Sequence, residues 1–468
     1  MVFSSMPFLY FLFPVAFIAY FIIPNRVWRN IVLLAVSLVF YSWGEPRLLL
    51  LMLAVSLAAY IGGLVMNGAA RQNRPRLKKA ACVTTVALLV GNLFVFKYLN
   101  FAADNLNRLP GVSLSLPEIA LPIGISFYTF QILSYILDLY RGKVSVQRNF
   151  FYLTLYVSFF PQLIAGPIVR YETVEDEIRN RKETVEDAAA GARRFIIGLA
   201  KKVLLANAMA PIAEAIYAGS PGIYGTAMYW IAALAYTFQI YFDFSGYSDM
   251  AIGLGRVFGF HFLENFDYPY IAKSVTDFWR RWHISMSSWF RDYVYIPLGG
   301  SRVSRGRWVF NILVVWGLTG FWHGASWNFL LWGLYYAALL VLEKLALGRL
   351  LERLPAAVRW LYTFLIVVVG WVIFNLTDFT QMTAALSSMF TWHPTDWLGV
   401  AAGNTEVLRA AYCLPLGFVC MLPIVKWVRL PDTAGGRLAA NLICLGLAAA
   451  CVTAVISSAY NPFIYFRF

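Results

Sequence analysis

Long apolar stretches recur along this chain, and short polar segments separate them. Five of the stretches contain few or no charged residues: 5–23, 47–66, 80–98, 225–245 and 438–456. Each is close to the ~20 residues that a helix needs to cross the hydrocarbon core of a bilayer. The pattern predicts an all-α protein that crosses a membrane many times. The first stretch is predicted to be a permanent span, because it lacks the basic segment and the small-residue cleavage site of a signal peptide.

Basic residues fall in clusters between the apolar stretches. Seven such clusters hold 33 of the 38 Lys and Arg residues. Because cytoplasmic loops carry an excess of Lys and Arg, the clusters predict about 10–12 membrane spans with both termini on the extracytoplasmic side. Two apolar stretches, 150–168 and 309–342, have basic clusters on both sides. They are therefore expected to enter the membrane and return, as re-entrant segments or as a hairpin pair.

The polar segment that starts at residue 170 leads into an amphipathic pattern. A cap at Thr184 and the spacing of apolar residues predict an amphipathic helix over residues 191–207. Phe195 and Leu199 lie on its apolar face. Lys202 is expected at the level of the lipid headgroups.

Composition excludes a soluble domain. Of the 468 residues, 60% are hydrophobic and 13% are charged, whereas roughly a quarter of a soluble domain is charged. A net charge of +14 would suggest nucleic acid as the partner of a soluble protein, but cytoplasmic loops account for it here, and no nucleic-acid partner is predicted. The five cysteines lie in apolar segments without a CxxC pair. This predicts packing thiols and neither a disulfide framework nor a metal site.

Candidate chemistry is concentrated in residues 277–333. Eight of the 16 tryptophans lie there, with two of the four histidines, His283 and His323. Ionisable side chains in membrane segments are costly and mark functional sites, and a neutral histidine can remove a proton from an attacking hydroxyl. Both histidines are therefore candidate catalytic residues, although each could instead only hydrogen-bond a neighbouring helix. The residues predicted to line a substrate cavity around them are Trp282, Trp322, Trp327, Asn328, Arg291 and Asp292.

Several motifs in this sequence resemble those of the membrane-bound O-acyltransferase (MBOAT) family. They are WHG at 322–324, RRWHIS at 280–285, LPIGISFYTFQ at 121–131, FPQLIAGPIVRY at 160–171 and YFDFSGYSDMAIGLG at 241–255. The match is closest to the bacterial branch typified by the alginate O-acetylation membrane protein, and it runs from residue 1 to about residue 345. The resemblance implies a single MBOAT domain over residues 1–468, in which a ring of helices with re-entrant segments surrounds a central tunnel.

The resemblance also implies roles for particular residues. His323 matches a histidine regarded as catalytic in the family, and His283 matches a second active-site residue. The donor implied is acetyl-CoA, as a substrate and not as a tightly bound cofactor. Basic residues such as Arg280 and Arg291 could attract its phosphates, or could only hold their loops in the cytoplasm. Independently of the resemblance, Asp243 and Asp249 could mark an ion path, but they are expected to belong to a hydrogen-bond network near the cavity.

The C-terminal tail, residues 457–468, carries a second resemblance. Its ending FIYFRF is similar to an F-x-Y-F-x-F tail on the small partner subunit of the teichoic-acid D-alanylation system, which also uses an MBOAT protein. There the tyrosine is thought to carry the acyl group. The resemblance implies that Tyr465 is an acyl carrier, while the alternative is an aromatic residue that anchors the last helix at the membrane interface.

Together these features predict a membrane-bound O-acetyltransferase of the bacterial inner membrane. It is expected to take acetyl from cytoplasmic acetyl-CoA and to pass it across the bilayer, so that an extracytoplasmic SGNH-type acetyltransferase can modify a cell-envelope or secreted polysaccharide. Two alternatives remain at this point. One is D-alanyl transfer to teichoic acid, and the other is a non-catalytic transporter of an acyl donor or of a lipid-linked sugar.

Overall fold

A computed structural model describes residues 1–43, 46–117, 119–219, 224–396, 405–427, 433–457 and 463–464. The chain forms two compact units. The first comprises Met1–Phe195 with Asp249–Leu263, and the second comprises Ile196–Ser248 with Glu264–Phe468. Within the described ranges all regular structure is helical, which confirms the all-α prediction.

The first unit begins with a π-helical turn, Phe8–Leu12, that continues directly into a helix. The chain passes from this unit to the second after Phe195, returns to the first at Asp249 and leaves it again after Leu263. The helices up to this point are α1 (Phe13–Ile22), α2 (Arg26–Ser42), α3 (Pro46–Arg71), α4 (Pro75–Lys97), α5 (Leu99–Leu106), α6 (Ile125–Arg141), α7 (Phe150–Ser158), α8 (Phe160–Leu163), α9 (Tyr171–Val174), α10 (Glu177–Asn180), α11 (Val185–Ala200), α12 (Asn207–Tyr217) and α13 (Thr226–Val257).

The rest of the second unit alternates short helices with long ones. π-helical turns interrupt it at Arg291–Tyr295 and at Glu343–Leu347. Its helices are α14 (Val275–Arg281), α15 (Ile284–Phe290), α16 (Arg305–His323), α17 (Trp327–Leu342), α18 (Gly348–Arg353), α19 (Ala356–Asn375), α20 (Phe379–Phe390), α21 (Thr405–Leu408), α22 (Ala410–Cys420), α23 (Ile424–Trp427) and α24 (Ala434–Ser457).

Polar side chains begin several of these helices. Asn25, Asn149 and Asp378 each accept hydrogen bonds from backbone N–H groups in the first turn of α2, α7 and α20. Ser274 does the same for α14. The predicted cap at Thr184 is confirmed, because its hydroxyl accepts a hydrogen bond from the Asp187 N–H at 3.0 Å. Such caps satisfy N–H groups that the helix leaves unpaired and favour each start site.

The chain is a multi-pass membrane protein. Among the described residues, six helical segments are long and apolar enough to cross a bilayer. This is fewer than the predicted 10–12 spans, because other predicted spans fall on helices that are too short or too polar; α2 and α6 have 17 residues each. The six segments are Pro46–Arg71, Pro75–Lys97, Val185–Tyr217, Trp327–Arg353, Ala356–Asn375 and Ala434–Ser457.

Both stretches that were expected to turn back are interrupted helices. The stretch 309–342 forms the α16–α17 hairpin, with the break at residues 324–326. The stretch 150–168 contains α7, which ends at Ser158, and the four-residue α8. Pro161 lies in the first turn of α8 and accounts for the break in part, since proline lacks the N–H that a continuous helix would donate to the Val157 carbonyl.

The amphipathic prediction for residues 191–207 is partly wrong. Phe195 and Leu199 are buried on one face, as predicted. Lys202 does not lie at a headgroup level, because it is only 4% exposed and its Nζ lies 2.9 Å from the Asp243 carboxylate. An opposite charge on α13 provides the partner that a buried ammonium requires, and a helical-face argument cannot anticipate that partner.

A buried ionic cluster holds the loop before α11 in the first unit. Glu183 accepts hydrogen bonds from Arg26 Nη1 at 2.5 Å, from Arg29 Nη1 at 2.7 Å and from the Tyr20 hydroxyl. Arg181 donates its Nε to the carbonyl oxygen of Phe258 at 3.0 Å. Burial alone would raise the pKa of Glu183, but the hydrogen bonds from Arg26 and Tyr20 outweigh it and leave the pKa below its ordinary value.

Candidate active site

His323 ends α16, at the closest approach of the α16–α17 hairpin. A Cβ on Gly320 would lie 2.3 Å from the Phe329 carbonyl oxygen, and a Cβ on Gly333 would lie 2.3 Å from the carbonyl oxygen of Trp316. Only glycine allows two backbones to approach so closely. The chain then leaves the helix at Gly324, in extended conformation. The imidazole of His323 is therefore held at a helix end by a backbone contact.

Aromatic rings enclose His323, which is 5% exposed. The ring centroids of Trp322, Trp332 and Phe374 lie 4.9, 5.1 and 5.1 Å from the imidazole centroid. Asn328 joins this wall to α19, because its Nδ2 donates to the carbonyl oxygens of Ile373 and Phe374 at 3.3 and 3.0 Å. Rigid rings with few polar neighbours create an apolar environment in which electrostatic interactions are strong.

His283 adopts a backbone conformation that is uncommon for a residue with a side chain. Its φ and ψ are 45° and 55°, in the left-handed region between α14 and α15. Such a conformation persists only where the surroundings enforce it. Asn265 holds this conformation in place. Its backbone carbonyl oxygen accepts a hydrogen bond from the Ile284 N–H at 2.9 Å. Its side-chain Oδ1 accepts two more, from the Ser285 N–H at 3.2 Å and from the Ser285 hydroxyl at 2.9 Å.

Asn265 also determines which nitrogen of His283 carries the proton. The side-chain atom that receives the Ser285 N–H must be an oxygen, and Nδ1 of His283 lies 3.1 Å from it. Nδ1 is therefore the donor, and Nε2 keeps its lone pair. Nε2 is buried and has no hydrogen-bond partner among the described residues. Burial also lowers the pKa of His283 to about 3, so the ring is neutral at physiological pH and presents a proton-accepting nitrogen.

Trp322 joins the two histidines. Its ring centroid lies 5.7 Å from that of His283 and 4.9 Å from that of His323. Trp282 is 2% exposed, and its ring centroid lies 4.7 Å from that of Trp371. The structure thus brings together four predicted site residues from two separate motifs, RRWHIS and WHG.

The region around these histidines is matched by a family model. The MBOAT, membrane-bound O-acyltransferase family model matches residues 143–382, which include both motifs and slightly more than half of the chain. This chain belongs to the membrane-bound O-acyltransferase family. It is therefore an O-acyltransferase, and the predicted resemblance is confirmed.

Curated relatives extend the match over the whole chain. A probable alginate O-acetylase AlgI of Azotobacter vinelandii is 38% identical, with all of both chains covered. A peptidoglycan O-acetyltransferase of Helicobacter pylori is 29% identical, over 100% of this chain and 98% of its own. A teichoic acid D-alanyltransferase of Bacillus subtilis is 31% identical over 47% of this chain and 58% of its own. The acetyl-transferring relatives thus align from end to end, and the D-alanyl-transferring one aligns over about half.

Arg291 is one of the residues that line a small apolar cavity. Its volume is about 160 Å³, and Trp279, Met286, Arg291 and Trp316 are among its lining residues. The Trp279 and Trp316 rings both contact Trp332, with centroids 5.5 and 6.1 Å away, and Trp332 contacts His323. Arg291 is mostly exposed and pairs with Asp292 through its Nε at 2.7 Å. Of the two predicted charged residues, Arg291 therefore lines a cavity whose wall continues to His323, and Asp292 is its ion-pair partner.

Of the two remaining predicted site residues, one is exposed and the other lies outside the described residues. Trp327 begins α17 with 43% of its surface exposed, unlike the buried Trp322 and Trp282. Tyr465, the predicted acyl carrier, lies outside the described residues. Conversely, sequence reasoning missed Asn265, because a single asparagine in a loop 18 residues before His283 carries no periodicity or spacing that would associate it with a histidine.

Proposed function

We propose that this MBOAT protein is an O-acetyltransferase of the bacterial cytoplasmic membrane that transfers acetyl from cytoplasmic acetyl-CoA to the outside for polysaccharide O-acetylation. The observation that carries the proposal is the pair of buried histidines whose rings both contact Trp322, with an unprotonated Nε2 on His283. End-to-end similarity to relatives named for alginate and peptidoglycan O-acetylation supports acetyl as the acyl group and a polysaccharide as the final acceptor.

His323 is the general base in this proposal. It removes the proton of the Tyr465 hydroxyl, whose unperturbed pKa of ~10 makes unassisted ionisation unfavourable at neutral pH. The phenolate oxygen attacks the thioester carbonyl, and the C–S bond breaks. The proton held by His323 passes to the departing sulfur, so the products are acetyl-Tyr465 and the free thiol of CoA. His283 assists by accepting a hydrogen bond at Nε2.

The donor approaches from the side of Arg291 and its cavity. Exposed basic residues of this segment, including Arg280 and Arg291, provide positive charge for the phosphates of CoA. The apolar cavity, with its wall of Trp279 and Trp316, suits the chain that links those phosphates to the thioester. This arrangement supports a cytoplasmic location for the segment, and it leaves both termini extracytoplasmic, as the basic clusters predict.

Acetyl-Tyr465 then gives its acetyl group to an extracytoplasmic SGNH-type acetyltransferase, which modifies the polysaccharide. D-alanyl transfer to teichoic acid is the competing enzymatic function, and the B. subtilis relative is the observation in its favour. The two functions differ in donor: one consumes acetyl-CoA, and the other does not.

The first experiment uses purified protein in liposomes with labelled acetyl-CoA. We expect thiol release and label on Tyr465 in the wild type, with both reduced by about 10²–10⁴-fold in His323→Ala, the typical contribution of a general base. His393→Ala is the matched control, since this histidine is exposed and lies outside both motifs. Tyr465→Phe should lose the label. Intact acetyl-CoA throughout would refute acetyl transfer, and equal activity in His323→Ala would refute the role of His323.

A further inference from the structure

A buried ion pair in the second unit has no part in the chemistry described above. Lys202 Nζ lies 2.9 Å from Asp243 Oδ1, and the two side chains are 6% and 2% exposed. A buried pair of this kind is costly to desolvate and is weak evidence for a purely stabilising role. The presence of this pair inside an apolar region indicates that another group binds to one of its two charged side chains.

That partner is the C-terminal tail. The second carboxylate oxygen of Asp243, Oδ2, accepts a hydrogen bond from the backbone N–H of Ile464 at 2.8 Å, across 221 residues of sequence. Phe463 and Ile464 are buried, at 2% and 3% exposure. Asp243 thus uses one oxygen for Lys202 and the other for the tail. A neutral side chain at position 243 could not provide both the negative charge that pairs with Lys202 and the acceptor for the Ile464 N–H.

The same turn of α13 connects the tail to the active site. The Phe463 ring lies 4.7 Å from the ring of Tyr247 and 6.2 Å from that of Phe244. The Phe244 ring in turn lies 4.7 Å from the His283 imidazole, at 83°. The tail residues that precede Tyr465 therefore pack against an aromatic ring in contact with an active-site histidine.

We propose that Lys202 and Asp243 are positioning residues that dock Phe463 and Ile464 of the C-terminal tail, and that acylation of Tyr465 depends on this docking. Lys202 holds the carboxylate in place, and Asp243 fixes the tail through the Ile464 N–H, while Phe463 sets the contact with Phe244 and Tyr247. This inference rests on the proposed role of Tyr465 as acyl carrier. It adds the device that makes the phenol an intramolecular reactant, which raises its effective concentration.

The test measures docking and acylation separately in the full-length protein in liposomes. Docking is read from deuterium exchange of the C-terminal peptide, and acylation from acetyl label on Tyr465. A hydrogen bond to a charged group contributes enough that its loss should speed exchange at Ile464 by about 10- to 150-fold. We expect this in Lys202→Met and Asp243→Leu, with a matching fall in label. Lys202→Arg keeps the charge and should keep both signals.

A double variant that swaps the two charges distinguishes a positioning role of Lys202 and Asp243 from a purely structural one. In the double variant Lys202→Asp with Asp243→Lys the ion pair is restored, but a lysine at 243 cannot accept the Ile464 N–H. We expect exchange to stay fast and label to stay low. Asp243→Asn keeps a neutral acceptor and should give intermediate values, which maintains the test if the double variant does not fold. Restoration of both signals by the charge exchange would overturn the proposal.

An exposed ion pair elsewhere in the second unit serves as the control. Glu406 pairs with Arg409 at 2.8 Å, and Glu406→Gln should change neither exchange nor label. Equal exchange at Ile464 in the wild type and in Asp243→Leu would overturn the docking role. Faster exchange in Asp243→Leu, with no label on Tyr465 even in the wild type, would confirm docking and refute the acyl-carrier function on which the inference rests.

Discussion

The backbone contact at Gly320 provides a sharp test of how the hairpin positions His323. Gly320 lies one helical turn before His323, and its added Cβ would meet backbone atoms of α17 at 2.3 and 3.0 Å. Gly317 lies one turn earlier on the same helix, and the nearest atom to its added Cβ is a Leu330 methyl at 3.9 Å. The two glycines thus differ in the space available, and both can be replaced by alanine.

The magnitudes follow from this geometry. Moving the Phe329 carbonyl from 2.3 Å to ordinary contact requires α16 and α17 to separate by about 1 Å. Overpacking of this kind typically costs about 1–3 kcal/mol, whereas alanine within a helix gains about 0.5–1 kcal/mol over glycine. Gly320→Ala should therefore be destabilised by about 1–2 kcal/mol, and Gly317→Ala should be as stable as the wild type or slightly more stable. Because a ~1 Å displacement can cost about 10²-fold in rate, Gly320→Ala should lose most of its activity.

The assay is thiol release from acetyl-CoA in liposomes, combined with a thermal unfolding curve for each variant in detergent. Activity measured well below the unfolding temperature separates misplacement of His323 from loss of folded protein. If Gly320→Ala equals Gly317→Ala in both rate and stability, then the close approach of α16 and α17 does not position the imidazole, and the reasoning is refuted.

Two further predictions concern buried polar groups. Asn265→Ala should lower thiol release by about 10- to 100-fold and destabilise the protein by about 1–3 kcal/mol. The reason is that it leaves the backbone N–H of Ser285 and the ring Nδ1–H of His283 without an acceptor. Wild-type rates in this variant would contradict the role of Asn265. In the other unit, Glu183→Gln should lower the unfolding temperature at pH 7. Since the folded pKa of Glu183 lies below its ordinary value of 4.5, its contribution is complete above that pH and is lost as the pH falls below it. The difference from the wild type should therefore shrink in acid, and a constant difference would contradict this reasoning.

Local patterns in the sequence determined the membrane spans, the break in one helical hairpin and the family of this protein. Apolar stretches near the length of a bilayer predicted the spans that α3, α4 and α24 form, and the break near 324–326 was expected because basic clusters lie on both sides of 309–342. The motifs around His283 and His323 identified the family. These features depend on residues close together in the chain, where rise per residue and charge near a membrane act directly.

Only the tertiary structure decided how those parts meet. It brought the rings of both histidines into contact with Trp322, assigned the proton of His283 through Asn265, and buried Lys202 against Asp243 where the helical pattern predicted a headgroup contact. It also seated Phe463 and Ile464 on α13. Each of these arrangements combines residues from different elements, and its geometry depends on the packing of whole helices. A buried charge or a strained backbone is stable only when such packing supplies its partner, and sequence periodicity carries no information about which partner that is.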